Sequence, residues 1–173
     1  MNKQPSHEIK FRKVRKEDLP ILKTWRNTND IWMNNTQYIF LNMKNQEEWF
    51  SSIQNTSERE MYLVTLKNQP IAICGFIHIE QKNADIAIII GEKKFRGKGI
   101  GKEILKNLLD IGFKKFHFNR ISAEVIDFNK NSRNFFKDMN FDYEATLRQV
   151  IWRNGGWHDM MVYSLLKQDW TKN

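Results

Sequence analysis

The period of the hydrophobic pattern changes repeatedly along this chain, and each change marks an element. Ile9, Phe11 and Val14 mark a short first strand. After Glu17-Asp18, Leu19, Leu22 and Trp25 recur at helical spacing and predict a helix. Residues 30–41 are rich in Asn and aromatics without a clean period, which predicts a loop with irregular helix. Residues 44–53 predict a second helix, with Trp49, Phe50 and Ile53 on one face. Residues 61–66 predict a strand closed by a turn at Lys67-Asn68-Gln69-Pro70. Residues 71–79 predict a longer strand with Ile71, Ile73, Ile77 and Ile79 on one face. Gln81-Lys82-Asn83 turns it back into residues 85–90. Three strands joined by short turns predict an antiparallel meander.

The unbroken apolar run from Ile86 to Ile90 then meets Gly91 and Arg96-Gly97-Lys98-Gly99-Ile100-Gly101, which leads into a helix over residues 102–116. Ile100, Ile104, Leu108 and Ile111 lie on one face of it, backed by Leu105, Gly112 and Phe116. Residues 120–126 predict a strand, and residues 129–139 a helix that buries Phe135, Phe136 and Met139. Residues 141–152 and 157–166 predict a hairpin across Arg153-Asn154-Gly155-Gly156. The order β-α-α-β-β-β-α-β-α-β-β combines a meander with a right-handed β-α-β crossover. It predicts an α/β fold, a mixed sheet with helices on both faces. No repeat or linker divides the chain, so residues 9–170 are expected to form one domain after a polar tail at residues 1–8.

Composition narrows the class. At 173 residues, 40% hydrophobic and 13% aromatic, the chain is long and apolar enough to bury its own core. A single cysteine excludes an internal disulfide framework and fits a reducing compartment. No apolar leader precedes Lys10 and no apolar run approaches the ~20 residues of a membrane span, so a cytoplasmic, membrane-free protein is expected. The net charge of +8 points to an anionic partner. The lysines are scattered and no aromatic-basic recognition run is present, so no specific nucleic acid is expected. The same excess of positive charge argues against a polycationic substrate.

The glycine-rich turn carries the clearest chemistry. Unpaired N–H groups at a helix start, together with the helix dipole, hold phosphate. Arg96-x-x-Gly99-x-Gly101 resembles the acyl-CoA pyrophosphate loop of the GCN5-related N-acetyltransferase (GNAT) family. The resemblance runs from Phe11 to Trp170. Phe11-Arg12 with Asp18-Leu19-Pro20 and Trp25-Arg26-Asn27, Asn129-Lys130-Asn131-Ser132 with Lys137 and Phe141, and Leu147-Arg148 with Gly156-Trp157-His158-Asp159 are similar to the ribosomal-protein alanine and serine N-acetyltransferases. Trp25-Arg26-Asn27 and Trp32-Met33 also resemble enzymes that acetylate the amino group of a UDP-linked sugar.

The resemblance implies a GNAT fold whose central sheet, mostly antiparallel, splays at one parallel pair, and direct transfer of acetyl from acetyl-CoA to a primary amine, with no metal. Backbone from Ile88, Ile89 and Ile90 is expected along the pantetheine arm. The loop from Arg96 through Gly97, Lys98, Gly99, Ile100 and Gly101 to Lys102 is expected on the pyrophosphate. Asn129 is both a helix N-cap and a cofactor contact by resemblance, and Phe136 stands where many relatives have a catalytic tyrosine. Ser132 then becomes the expected acid that protonates the departing thiolate. An amine of pKa ~8 to 10 must lose a proton before it attacks, and Glu124 and Glu144 are the candidate bases. Trp25, Arg26, Asn27 and Tyr38 are candidates for the acceptor pocket, with a core role the stronger reading for Trp25. His78 is expected as a packed or rim residue, His158 as exposed, and Cys74 as core. The alternatives are a CoA-binding module without catalysis, an enzyme for small amines or antibiotics, and a nucleic-acid binder supported by charge alone. A monomer and a homodimer are both open.

Overall fold

The computed structural model describes residues 8–170. The expected tail therefore lies outside the described residues, apart from Glu8. The chain runs through β1 (Ile9–Lys13), α1 (Leu19–Arg26), α2 (Asn29–Asn34), α3 (Met43–Gln54), β2 (Glu60–Leu66), β3 (Gln69–Glu80) and β4 (Asn83–Ile90). It continues through α4 (Ile100–Asp110), β5 (Arg120–Ile126), α5 (Lys130–Asp138), β6 (Asp142–Arg153), β7 (Gly156–Leu166) and a short α6 (Lys167–Trp170). The seven strands make one sheet in the order β1-β2-β3-β4-β5-β7-β6. This is the expected mixed α/β architecture, in the expected order.

Three local expectations are corrected. The aperiodic stretch after Asn27 contains a regular helix, α2, whose single buried apolar residue, Ile31, is too few to show a period. The turn after β2 is confined to Lys67 and Asn68, both at positive φ, and Gln69 and Pro70 already pair with β2. The helix expected over residues 102–116 is α-helical from Ile100 to Asp110 and widens to a π-turn at Ile111–Lys115.

The sheet separates two apolar clusters. α4 and α5 cover one face, where Ile100, Ile104, Leu105, Leu108 and Phe136 pack on Val64, Cys74, Phe76, Ile86 and Ile121. α1 to α3 cover the other, where Leu19, Leu22, Trp25 and Ile31 pack on Leu63 and Ile73, with Ile77, Ala87 and Ile89 beside them. The four β3 isoleucines do not share a face as expected. Ile73 and Ile77 join the α1–α3 cluster, and Ile71 and Ile79 the other. Register shifts at Val64/Thr65 and Ile77/Glu80 break the period-two phase at both ends.

Where β4 meets β5, the sheet opens. These strands are parallel and pair only through Asn83, Ala84 and Asp85 opposite Arg120, Ile121 and Ser122. β3 nevertheless follows β4 up to Ile90, and β7 follows β5 up to Ile126. Each strand keeps its outer partner and the two diverge from Ile86 onward. One edge of backbone from Ile86 to Ile90 is thus left facing a gap.

Cys74 is fully buried in β3, and burial pushes its thiol pKa upward. We expect no reaction of the folded protein with iodoacetamide at pH 8, and stoichiometric labelling in denaturant. Labelling under native conditions would show that this strand is accessible.

Candidate active site

The loop between β4 and α4 is built from two kinds of constraint. Gly97 and Gly99 have φ of 71° and 80°, and Gly99 is the N-cap of α4. A side chain at either position would strain this backbone by roughly 1 kcal/mol. The N–H groups of Gly97, Lys98, Gly99, Ile100, Gly101 and Lys102 have no hydrogen-bond partner among the described residues; the first bond of α4 is Glu103 N–H to the Gly99 carbonyl, 3.2 Å. A row of free donors at the start of an eleven-residue helix suits a polyphosphate. Lys98 stands exposed and without a partner among the described residues, whereas Lys102 pairs with Asp138 at 2.9 Å.

Arg96 does something different from the expected charge on the pyrophosphate. Its Nε donates to the Ile90 carbonyl (2.9 Å) and its Nη2 to the Gly91 carbonyl (3.2 Å). The other guanidinium nitrogen pairs with Asp30 of α2. The side chain therefore ties the end of β4, the loop and α2 together.

The acceptor-side candidates divide in the same way. Trp25 is buried beneath Gly91, and its Nε1 donates to Glu92 at 3.1 Å. Asn27 donates to the Leu41 carbonyl and accepts from the Leu41 N–H, both at 2.8 Å, which closes the 28–41 stretch into a loop. Both side chains hold the structure, and for Trp25 this is the core role that was the stronger reading. Tyr38 stacks on Trp32 with ring centroids 4.2 Å apart. The Arg153 guanidinium lies 4.0 Å from the Tyr38 centroid and donates to the carbonyls of Asn35 and Thr36. The β6–β7 hairpin tip is thereby clamped onto this loop. Arg26 is partly buried, its Nη1 is without a partner among the described residues, and desolvation lowers its pKa.

α5 presents the remaining candidates. Asn129 caps it, its Oδ1 accepting the Ser132 N–H at 3.1 Å, a contact worth about 1 kcal/mol. The Ser132 hydroxyl is half-buried and has no partner among the described residues. Phe136 is 5% exposed and in ring contact with Phe135, Phe141 and Tyr163. It is a core residue, as the helix pattern predicts, and its side chain carries no hydroxyl to act as an acid. Asn140 takes φ 61° after α5 and forms a left-handed cap.

The two candidate bases lie in opposite settings. Glu144 faces Arg120 through two bonds, one of 2.6 Å, and accepts from Ser164 Oγ at 2.6 Å. Both contacts hold its carboxyl below the ordinary range. It lies beside the paired ends of β4 and β5, away from the gap, and a carboxylate so stabilised makes a weak base. Glu124 lies on the exposed side of β5, two residues beyond the last β4–β5 pair, and is raised by partial burial and by the charge of Asp85.

Sequence reasoning missed two contacts. His158 is half-buried and its Nδ1 meets Asp127 at 3.1 Å, which fastens the β5–α5 turn to β7. His78 meets Asp85 at 2.8 Å. Their partners lie elsewhere in the chain, Asp127 in the β5–α5 turn and Asp85 on β4, and the cross-strand pairing of Ile77 with Asp85 points to the second.

Residues 8–142 match the family model described as acetyltransferase (GNAT) domain. The chain belongs to this family and is an N-acetyltransferase. It is 31% identical over 122 residues to an uncharacterized N-acetyltransferase, p20, of Bacillus licheniformis, covering 69% of this chain and 68% of that protein. It is 33% identical over 104 residues to a putative ribosomal N-acetyltransferase, YdaF, of Bacillus subtilis, covering 57% and 56%. The fold matches a Vibrio cholerae spermidine N-acetyltransferase in complex with CoA and spermine, with a TM-score of 0.89, 18% identity, and coverage of 95% and 98%. Among the described residues no helix is long and apolar enough to cross a membrane.

Proposed function

We propose that this enzyme transfers acetyl from acetyl-CoA to a primary amine carried on a peptide N-terminus or an amino-sugar nucleotide, by direct attack in a ternary complex. The observation that carries the reading is the continuity of two open edges. The β5-facing edge of Ile86–Ile89, with no strand paired to it, leads through Ile90 and Gly91 to the free N–H groups of Gly97–Lys102. A pantetheine arm completes the first as an added strand, and a pyrophosphate satisfies the second. Bound acetyl-CoA supplies the activated acetyl group. The Ser132 hydroxyl, one turn into the helix that follows β5, protonates the sulfur as it leaves.

The acceptor follows from charge. The acidic groups near α1 and α2 are already engaged, Asp30 by Arg96 and Glu92 by Trp25. Arg26 and Arg153 have no carboxylate partner among the described residues. A wall of this kind repels a polyamine and suits a neutral or anionic carrier. The similarity to a putative ribosomal N-acetyltransferase supports the peptide arm of this reading.

The test is thiol release from acetyl-CoA against a panel of peptides, amino-sugar nucleotides and polyamines, together with calorimetry. Folded protein that does not bind acetyl-CoA would sink the reading, and spermidine as the best acceptor would overturn the acceptor class. Ser132→Ala is expected to lower kcat about a hundredfold and leave acetyl-CoA affinity within twofold. An unaltered rate removes Ser132 from the acid role.

A further inference from the structure

Residues 28–40 bridge the end of the sheet at which β4 and β5 have parted. β5 is parallel to β4, and β7 and β6 lie on its far side, so Gly91, the end of β5 and the β6–β7 turn all stand at one end of the sheet. On the β4 side the bridge is anchored by Asp30, which pairs with Arg96, itself bonded to the carbonyls of Ile90 and Gly91. On the hairpin side it is anchored by Arg153, whose Nη2 donates to the carbonyls of Asn35 and Thr36. Asp30 and Asn35 therefore stand on opposite banks of the gap, with α2 between them.

Strand alternation puts Arg153 on the correct side for this. Met161 and Tyr163 pack into the α4–α5 cluster, so Trp157, on the same side of β7, and Trp152 paired with it face that way. Arg153 follows Trp152 and faces the α1–α3 side, where the bridge lies. Asn27 holds both backbone groups of Leu41 and closes the base of the segment like a hinge. Between hinge and hairpin, Ile39 and Phe40 are 52% and 70% exposed and belong to neither apolar cluster.

The closed arrangement is weakly satisfied. Tyr38 touches both Trp32, at 4.2 Å between ring centroids, and the Arg153 guanidinium, at 4.0 Å. Trp32 Nε1 and Arg153 Nε are shut off from solvent there, and neither has a hydrogen-bond partner among the described residues. Arg153 is 3% exposed, and its bonds go to carbonyls, not to a carboxylate. Buried donors are as a rule paired, and each unmet one weakens this arrangement against one in which oxygen atoms reach it.

We propose that residues 28–40 are a gate over the acceptor side of the gap, that Arg153 is its latch, and that an acceptor whose carrier offers carbonyl or hydroxyl oxygens opens it and meets Trp32 Nε1 and Arg153 Nε beneath. This rests on the acetyltransferase reading above. Arg153 is a positioning residue: it acts through the gate, not on the reacting atoms. A ligand shifts such an equilibrium only by contacts made in one state and not the other. Peptide and sugar carriers bring oxygens that the two donors take once the gate lifts. A polyamine brings none and gains nothing from opening it. The anchor at Asp30 is separate, so releasing the latch leaves the glycine loop in place.

The experiment joins amide hydrogen exchange of the free enzyme to acceptor kinetics with an alanine-initiated peptide, a UDP-linked amino sugar and spermidine. The amides of Ile31, Trp32 and Asn35 bond within the bridge and report its opening. Arg153→Met is expected to speed their exchange about tenfold, to leave acetyl-CoA affinity within twofold, and to raise KM for the better oxygen-bearing acceptor about tenfold with kcat little changed. Arg153→Lys, which restores one donor, is expected to fall between. Trp32→Phe keeps the ring and removes the N–H, and is expected to raise the same KM about fivefold. Exchange no faster in Arg153→Met overturns the gate, and an unaltered KM in both Arg153→Met and Trp32→Phe overturns the role of the two donors. Equal losses with spermidine overturn the acceptor chemistry. Should Arg153→Met fail to fold, Arg153→Lys must itself show the faster exchange, or the latch is overturned. The exchange measurement uses neither cofactor nor acceptor. Failure of the wild type to bind acetyl-CoA would therefore strike the acetyltransferase reading and leave the gate to be judged by exchange.

Discussion

Gly91→Val lowers the stability of the fold by about 3 kcal/mol and weakens acetyl-CoA binding with it. A Cβ at this position would lie 1.9 Å from Trp25 Cδ2 and 2.2 Å from Cε2, far inside contact distance. The indole cannot yield easily. It is 3% exposed, packed among Leu19, Leu22 and Ile31, and its Nε1 is held by Glu92. Relief must therefore come from lifting the end of β4 off α1, which is where the loop begins. For a chain of this length about 3 kcal/mol corresponds to a fall in thermal midpoint of roughly 10 °C. Gly97→Ala is the contrast. Its Cβ meets nothing within 4 Å, so only the positive φ is penalised, by roughly 1 kcal/mol. Equal midpoints for the two variants in a melting experiment would show that Trp25 does not pack against this turn.

Arg96→Glu is expected to cost about 2 kcal/mol of stability and to lower acetyl-CoA affinity at least tenfold, through displacement of the loop. Two carbonyls, of Ile90 and Gly91, lose charged donors and gain a carboxylate neighbour. Asp30 loses its partner as well, although that half-exposed pair contributes less. Lys98→Ala separates the two roles. Lys98 is exposed and without a partner among the described residues, so its removal should leave the midpoint within the error of measurement and weaken cofactor binding in a salt-dependent way. Calorimetry at two ionic strengths, set beside thermal melts, distinguishes them. A normal midpoint for Arg96→Glu would return its side chain to the direct phosphate-binding role implied by the family resemblance.

Most of the fold was legible because its signals are local. Alternating isoleucines, the four-residue spacing from Ile100 to Leu108 and the Asn154-Gly155 turn each depend on neighbours within a few positions. The limits of β5 were matched residue for residue at Arg120–Ile126. α2 was expected only as irregular helix within a loop, because its six residues include one buried apolar side chain, which makes no period. The faces of β3 escaped because two register shifts change phase where composition does not.

The candidate site divides along the same line. The free N–H groups of Gly97–Lys102 could be anticipated, because glycine spacing and a helix start specify backbone geometry directly. The fate of side chains could not. Arg96, Trp25 and Asn27 share motifs with cofactor or acceptor residues by resemblance, yet each is occupied by a contact 5 to 67 residues away. Glu124 and Glu144 look alike in sequence, and only their neighbours, Asp85 for one and Arg120 for the other, set their acid strengths in opposite directions.

By itself the sequence determined the order of elements, the glycine loop that marks the family and the side chains proposed as acid and base. Tertiary structure alone decided which of those residues remain free to act. Hydrophobic period and backbone freedom are properties of adjacent residues. Availability of a side chain depends on partners that the sheet register brings from distant strands, as the bulge at His78 brings it to Asp85 beside the gap between β4 and β5.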